Sequence, residues 1–217
     1  VLKEKWTSFV GLHKVPVVYG LTIGEYGKMV NGEKWLKNGV QAKYTIIPML
    51  NYHKKQRYPI SEKPSPNLPN DQSINLYPSL CFFEGTQVSI GRGTDFPFQV
   101  FGSPWLKNHP FKFTPKPNFG AKDPFLNGKI CNGEDLRNYP EIKEKLDLSF
   151  VINAYKNFDK KSQEFFLKNL WFDTLAGTDE LRKQIISGKS EEEIRNSWKQ
   201  DLQNFEKIRT KYRIYQD

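Results

Sequence analysis

The sequence has little cysteine: two residues in 217, Cys81 and Cys131. So few exclude a disulfide framework and any cysteine-rich zinc site. One bridge between them and two free thiols both remain open. Long apolar runs are missing as well. No stretch approaches the ~18 apolar residues that a membrane span requires, so no span is expected. Position 1 is Val rather than Met, and no signal peptide stands at the start, so the chain reads as processed or truncated. Histidine is scarce. His13, His53 and His109 form no H-x-x-x-H or H-E-x-x-H spacing, which argues against a zinc hydrolase. No serine sits in a G-x-S-x-G elbow, and no G-K-[ST] completes a P-loop. Neither a metal nor a cofactor is expected.

Aromatics, by contrast, are abundant: 16 Phe, 10 Tyr and 5 Trp, within 37% apolar residues, are enough for a packed core and exclude wholesale disorder. The length suits one large domain or two small ones. The formal charge is +9 and is unevenly placed. Residues 1–70 carry 11 basic and 4 acidic side chains, residues 71–132 carry 6 and 4, and residues 133–217 carry 16 of each. Whatever the positive charge serves therefore lies in the first 130 residues. Nucleic acid, an acidic membrane surface and a carboxylate-bearing substrate are all compatible with it.

Three zones follow the charge. In residues 1–63, Thr22-Ile23-Gly24-Glu25 has the form of a capping box, and Tyr26, Met29, Val30, Trp35 and Leu36 give a helical spacing that stops at Asn38-Gly39. Residues 43–47 read as a strand ended by Pro48. In residues 64–132, Pro64, Pro66, Pro69 and Pro78 leave no room for a long helix before Tyr77, and short extended pieces are expected at 87–90, 98–101 and 111–114. Loops of this kind commonly carry sites. Residues 133–217 read as helical packing. Leu148, Val151, Ile152 and Tyr155 share a face, Phe165, Phe166, Leu170 and Phe172 suggest a second helix, and Leu181, Ile185 and Ile186 a third that stops at Gly188. Ser190 and Glu193 form another capping box, opening a helix with Ile194, Trp198, Leu202, Phe205, Ile208 and Tyr212 along one face for about five turns.

The densest run of chemically capable residues lies between Tyr77 and Phe98. Glu84 ends the apolar run Cys81-Phe82-Phe83, where partial desolvation would raise a carboxylate's pKa toward general-acid work; a surface or helix-terminal glutamate is the plainer reading. Arg92 stands between two glycines, so a turn can present its guanidinium to a carboxylate or phosphate, or leave it solvated. Ser65 and Asn67 lie among prolines that hold a loop at low entropy cost, in a ligand loop or an ordinary linker. Glu25 is most simply a capping residue. The basic and aromatic cluster at residues 51–58 suits base stacking, but no RRM, KH or helix-turn-helix framework surrounds it, so no nucleic-acid partner is expected.

Several blocks carry a family resemblance. They are Ser8-Phe9-Val10-Gly11 with Val15 to Glu25; Pro64-Ser65-Pro66-Asn67-Leu68-Pro69; Tyr77-Pro78, Glu84-Gly85-Thr86, Ser89, Gly91-Arg92-Gly93-Thr94 and Pro97-Phe98 to Trp105; and Asp173-Thr174-Leu175-Ala176-Gly177-Thr178. Together they resemble the NamZ-type exo-β-N-acetylmuramidases, a family long labelled only as a domain of unknown function. The third group is the most specific, and the blocks span almost the whole chain in the family's order.

The resemblance implies a glycoside hydrolase that releases N-acetylmuramic acid from the non-reducing end of peptidoglycan fragments, in the periplasm or outside the cell. It implies an α+β chain: the end of a Rossmann-like α/β domain and linker (1–63), then a small mixed or antiparallel barrel-like sheet domain with C-terminal helices (64–217). The site would lie in a cleft between the two, and the N-terminal Rossmann-like half of the same protein would be a partner. The family's Pro-Glu-His-Gly block, associated with a catalytic glutamate, is absent here. A two-carboxylate glycosidase needs both groups, so this chain alone is expected to be inactive. Residue by residue, Glu84 matches the Glu-Gly-Thr block as acid/base or essential sugar contact. Arg92 matches Gly-Arg-Gly-Thr and would bind the lactyl carboxylate. Ser65, Asn67, Tyr77, Thr86 and Thr94 would be further substrate contacts. Tyr19 stands where many relatives carry His, and Ile90 where many carry Glu, so neither position is assigned a role. The remaining alternative is a non-catalytic module that binds muramyl sugars.

Overall fold

The computed structural model describes residues 1–140 and 145–215. Residues 141–144, and the last two residues of the expected second domain, lie outside the described residues.

In the first 63 residues the only α-helix is α1 (Ile23–Gly32), with short 3-10 turns at Glu4–Trp6 and Lys37–Gly39. The capping box forms as expected: Glu25 N–H donates to Thr22 Oγ1 at 3.4 Å, and Thr22 N–H donates to Glu25 Oε2 at 2.8 Å. The helix stops before the expected Asn38-Gly39 because Lys34 takes a left-handed φ of 56°. The strand expected at 43–47 does not form. Its residues are mostly exposed and no neighbouring strand satisfies their N–H and C=O groups. The segment is held instead at its ends, by Ala42 N–H to Asn31 Oδ1 at 2.7 Å and Met49 N–H to the Tyr215 hydroxyl at 2.8 Å.

Helix α2 (Asp71–Leu80) overturns the expectation that no long helix precedes Tyr77. Three of the prolines lie ahead of its cap, Asn70, which exchanges hydrogen bonds with Ser73. Pro78 falls near the end, where the missing N–H removes one helical bond. The chain then tightens into a 3-10 turn, Cys81–Gly85. Strands β1 (Val100–Ser103), β2 (Phe111–Phe113) and β3 (Cys131–Asp135) make an antiparallel sheet in the order β1-β3-β2. The extended pieces expected at 98–101 and 111–114 correspond to β1, shifted by two residues, and β2. The piece at 87–90 contributes only a bridge from Ser89 to Gly102. Strand β3 begins within the motif zone and runs into the zone read as helical.

Four helices follow: α3 (Ser149–Asn157), α4 (Trp171–Ala176), α5 (Glu180–Ile186) and α6 (Glu191–Thr210). Phe165 and Phe166 are not helical. Gln87 N–H donates to Phe165 C=O at 2.8 Å and Leu167 N–H to Gly85 C=O at 3.0 Å, so this segment lies along the turn that carries Glu84. Leu170, at φ 58°, then lets α4 begin. The second capping box forms on α6, with Ser190 N–H to Glu193 Oε2 at 2.8 Å.

The core combines phenylalanines with Leu, Ile and Val, with Phe83 stacked on Phe101 at 4.8 Å and Phe166 edge-on to Phe172 at 4.8 Å. Residues 1–63 contribute nothing to this cluster. They are tied on by polar contacts, such as Lys3 N–H to Gly177 C=O at 2.8 Å and the Tyr212 hydroxyl to Glu33 at 2.7 Å, and by rings, with Phe9 stacked on Trp171 at 5.9 Å and Tyr52 edge-on to Tyr215 at 4.8 Å. Among the described residues the architecture is therefore α+β, with one small antiparallel sheet and six α-helices. No helix among them is long and apolar enough to cross a membrane.

Candidate functional site

Glu84 and Arg92 meet. The Arg92 Nη2 donates to Glu84 Oε1 at 2.8 Å. The isolated, desolvated carboxylate suggested by the sequence is thus an ion pair, with both side chains partly open to solvent. Glu84 sits on the 3-10 turn whose preceding residues, Phe82 and Phe83, are buried in the core. Arg92 is carried on the turn of residues 91–94, closed by Thr94 N–H to Gly91 C=O at 3.0 Å. Both flanking glycines are required. Gly91 and Gly93 have φ of 79° and 80°, and a Cβ on Gly91 would stand 2.6 Å from Val100 Cγ2, on Gly93 2.6 Å from Pro124 Cβ.

Two aromatic rings wall the pair. The Arg92 guanidinium lies over the Phe98 ring at 5.1 Å, and Tyr77 packs on the same ring at 4.9 Å. Phe98 is fully buried and holds a left-handed φ of 56°, a strained conformation for a bulky residue that marks a position fixed by its surroundings. Burial pushes the Tyr77 hydroxyl above its ordinary pKa, helped by Cys81 and Glu84 and opposed by Arg92. Burial likewise pushes the Cys81 thiol up to about 12, with Glu84 adding to it, so this cysteine is no thiolate nucleophile. Both cysteines are free. The cluster pairs a strong acceptor with a cation whose remaining N–H donors are open to an anionic group.

The other candidate residues divide. Asn67 and Thr94 line a groove of about 500 Å³ together with Lys63, Asp95, Asn118 and Phe119. Asn67 Nδ2 donates to Gly120 C=O at 2.8 Å. Thr94 Oγ1 donates to Gly91 C=O at 2.7 Å and accepts from Phe96 N–H at 3.0 Å, which shapes the arginine turn. Ser65 Oγ accepts from Asn67 N–H at 3.2 Å inside its own loop. Thr86 is buried, donating to Phe83 C=O at 2.8 Å and accepting from Val88 N–H at 3.2 Å. Ile90 belongs to the core, and Tyr19 packs on Tyr26 at 4.9 Å. Sequence reasoning missed the rings at Phe98 and Phe119. For Phe119 a signal existed, since it sits in Asn118-Phe119-Gly120, a turn-forming setting for an exposed aromatic. Among the described residues no group of three His, Cys, Asp or Glu side chains could hold a metal ion. A second cavity, of about 410 Å³, lies between residues 16–18 and helices α5 and α6.

Comparison with known proteins gives consistent matches over the whole chain. The profile described as exo-beta-N-acetylmuramidase NamZ, C-terminal, matches residues 75–215, and its N-terminal counterpart matches residues 1–72. The peptidoglycan beta-N-acetylmuramidase NamZ of Bacillus subtilis (strain 168) is 33% identical over 99% of this chain and 55% of its own length. A DUF1343 family protein of Bacteroides fragilis NCTC 9343 superposes with a TM-score of 0.94 at 44% identity, over all of this chain and 62% of that one. A second DUF1343 protein of the same organism, 21% identical with a TM-score of 0.81 over the same shares, shares the fold. The chain thus spans about half the length of the curated relative. With the C-terminal profile covering most of the chain, and the Glu84 and Arg92 blocks standing face to face within it, the chain belongs to the exo-β-N-acetylmuramidase NamZ family.

Proposed function

We propose that the chain is the larger part of a peptidoglycan glycosidase that releases N-acetylmuramic acid from the non-reducing end of cell-wall fragments, and that it works at the cell envelope, where this substrate lies. The Glu84–Arg92 pair against Tyr77 and Phe98 carries this reading. An anionic sugar needs a cation for its lactyl carboxylate, which Arg92 supplies. Its hydroxyls and acetamido group need an acceptor held in place, which Glu84 supplies, and Glu84 is the proposed acid/base. The Tyr77 ring offers an amphipathic wall.

Hydrolysis needs a second carboxylate across the bond. Neither Glu84 nor Arg92 has another charged partner among the described residues. We place the second carboxylate on a preceding Rossmann-like half, as the greater length of the relatives allows. The surface of the first 60 residues suits such a neighbour, because Phe9, Ile23, Ile47 and Leu50 are each more than four-fifths exposed.

The test is release from a chromogenic β-N-acetylmuramide by the protein in its full native length. Glu84→Gln should lower turnover by about 10²–10⁴, the usual contribution of a general acid or base. Full activity of that variant would remove Glu84 as the catalyst. The partly exposed Arg92 guanidinium beside the Phe98 ring also suits a second reading, a module that binds muramyl sugars without turnover. Under that reading the full-length protein binds N-acetylmuramic acid, loses binding with Arg92→Ala, and shows no hydrolysis.

A further inference from the structure

The block from Asp173 to Thr178 has no role in the site so far, yet it adjoins the turn that carries Glu84. A single stretch of chain, residues 165–173, cradles that turn. Gln87 N–H donates to Phe165 C=O at 2.8 Å, Leu167 N–H donates to Gly85 C=O at 3.0 Å, and Thr86 and Phe166 form a bridge. The stretch then bends at Leu170, with φ 58°, and enters α4. There the Phe172 backbone stands so close to Gly85 that a Cβ on the glycine would collide with its N and Cα. Two backbones in direct contact pass a displacement on, because no side chain lies between them to yield. Glu84 immediately precedes the residue at which this contact is made.

Helix α4 has six residues, too few to hold its place as an isolated helix. Asp173, the next residue after Phe172, fixes it. Its fully buried carboxylate accepts from Arg182 Nε at 2.9 Å on Oδ1 and from Arg182 Nη2 at 2.8 Å on Oδ2, a two-point bond to α5. Its C=O accepts from Thr178 N–H at 3.1 Å, which closes the end of the block. A buried ion pair gives little net stability over a well-packed apolar pair. What it supplies is direction, since a planar guanidinium on a carboxylate sets an angle as well as a distance.

We propose that Asp173 and Arg182 are positioning residues for Glu84: the pair sets α4, and α4 sets the turn on which Glu84 is presented. The inference rests on the reading of Glu84 as acid/base. Arg92 is held by other means, the glycine turn of residues 91–94. The buried pair should therefore govern turnover and leave capture of the substrate carboxylate nearly untouched. A catalytic group misplaced by about 1 Å loses on the order of 10² in rate.

The test uses the protein in its full native length. Asp173→Leu combined with Arg182→Met replaces the ion pair by apolar side chains, a kind of exchange that keeps buried sites stable. Arg182→Lys keeps the charge and loses the two-point geometry. Both should melt close to the wild type. On a chromogenic β-N-acetylmuramide, kcat should fall about ten- to hundredfold in the apolar variant and by less in Arg182→Lys, with KM and affinity for N-acetylmuramic acid nearly unchanged. In a Glu84→Gln background the apolar exchange should lower kcat no further, because a group already removed cannot be misplaced. The ¹⁵N amide resonances of residues 84–86 should shift in both variants without any ligand. Stable variants with wild-type kcat and unmoved resonances overturn the inference and leave the reading of Glu84 intact. An equal loss on top of Glu84→Gln also overturns it, since the pair would then act on something else. Full activity of Glu84→Gln removes the acid/base reading instead; the resonances of 84–86 then decide the positioning, shifts supporting it and their absence overturning it. If the apolar variant fails to fold, Arg182→Lys decides by the same measures.

Discussion

Glu25 Oε1 accepts the backbone N–H of Ile214 at 2.8 Å, joining the first turn of α1 to a residue 189 positions later. The same oxygen accepts from Tyr215 N–H at 3.1 Å and pairs with Lys54 Nζ at 3.2 Å, while Oε2 closes the capping box on Thr22. A residue that a local pattern marks as a cap is thus also the clamp that fastens the chain's C-terminal end and the loop around Lys54. A carboxylate with no solvent exposure is tolerable only because each oxygen is met by donors.

The clamp makes stability depend on pH. Burial pushes the Glu25 pKa up, but the N–H groups of Ile214, Thr22 and Tyr215 and the Lys54 ammonium outweigh it and bring it down to about 2, from a model-compound value of 4.5. A folded-state pKa below the unfolded one stabilises the fold above pH 4.5, and the gain is lost as pH falls toward 2. Glu25→Gln replaces one acceptor oxygen with a donor that faces N–H groups. It should cost about 2 kcal/mol at pH 7. In urea unfolding at several pH values, the gap between wild type and variant should narrow as pH drops through that window. A gap that stays constant from pH 7 to 3 would refute the assignment.

Arg182 holds Asp173 by two nitrogens, with Nε 2.9 Å from Oδ1 and Nη2 2.8 Å from Oδ2, and Asp173 is fully buried. The Asp-Thr-Leu-Ala-Gly-Thr block, part of the family resemblance, therefore carries a buried ion pair between α4 and α5. Arg182→Ala should cost about 3–5 kcal/mol by leaving an uncompensated buried charge. Removing both charges together should cost less than the sum of the single changes. Chemical denaturation of the single and double variants checks this.

The Glu84–Arg92 pair is partly solvated and should behave in the opposite way. Arg92→Ala should change stability by less than about 1 kcal/mol while removing measurable affinity for N-acetylmuramic acid. Calorimetric titration beside a thermal melt separates the two effects. A large loss of stability with intact binding would make the pair structural.

Gly85 lies against the backbone of α4. A Cβ there would collide with the N and Cα of Phe172 and approach its Cβ to 2.6 Å. Gly85→Ala should therefore cost at least about 1–3 kcal/mol through overpacking and disturb the turn that carries Glu84. The expected signature is a lowered melting temperature together with weakened sugar binding. An Ala variant as stable as wild type would show that α4 can move away.

Much of the helical part was legible because its signals are short. Thr22 with Glu25, and Ser190 with Glu193, mark helix starts that need no partner beyond three residues, and both formed. The apolar face of α6 was legible for the same reason, although Leu202 remains 41% exposed. Extended segments were legible only in part: the pieces expected at 98–101 and 111–114 correspond to β1 and β2, but the others do not form strands. Residues 43–47 have strand composition and no neighbour, whereas Cys131–Asp135, with a Gly, two acids and an Asn, became the central strand because β1 and β2 flank it. Propensity describes a residue's fit to a pleated surface and cannot say whether another strand will be there. Glu84 and Arg92 were both legible as candidates, yet their pairing was not. It depends on the segment around Phe165 bracing one turn and on two glycines shaping the other.

What the sequence by itself determined is what neighbouring residues settle among themselves: the capped helices, the abundance of aromatics for a core, the concentration of positive charge before residue 133, and the motif blocks that name the family. The tertiary structure alone decided what distant segments do to one another. It placed Arg92 against Glu84, turned Glu25 from a cap into a clamp, ordered the three strands, and left Phe119 facing an open groove. The physical reason is range. A cap or a helical face is complete within a turn or two, but a buried charge, a strand edge or an exposed ring acquires its meaning only from whatever the fold brings beside it.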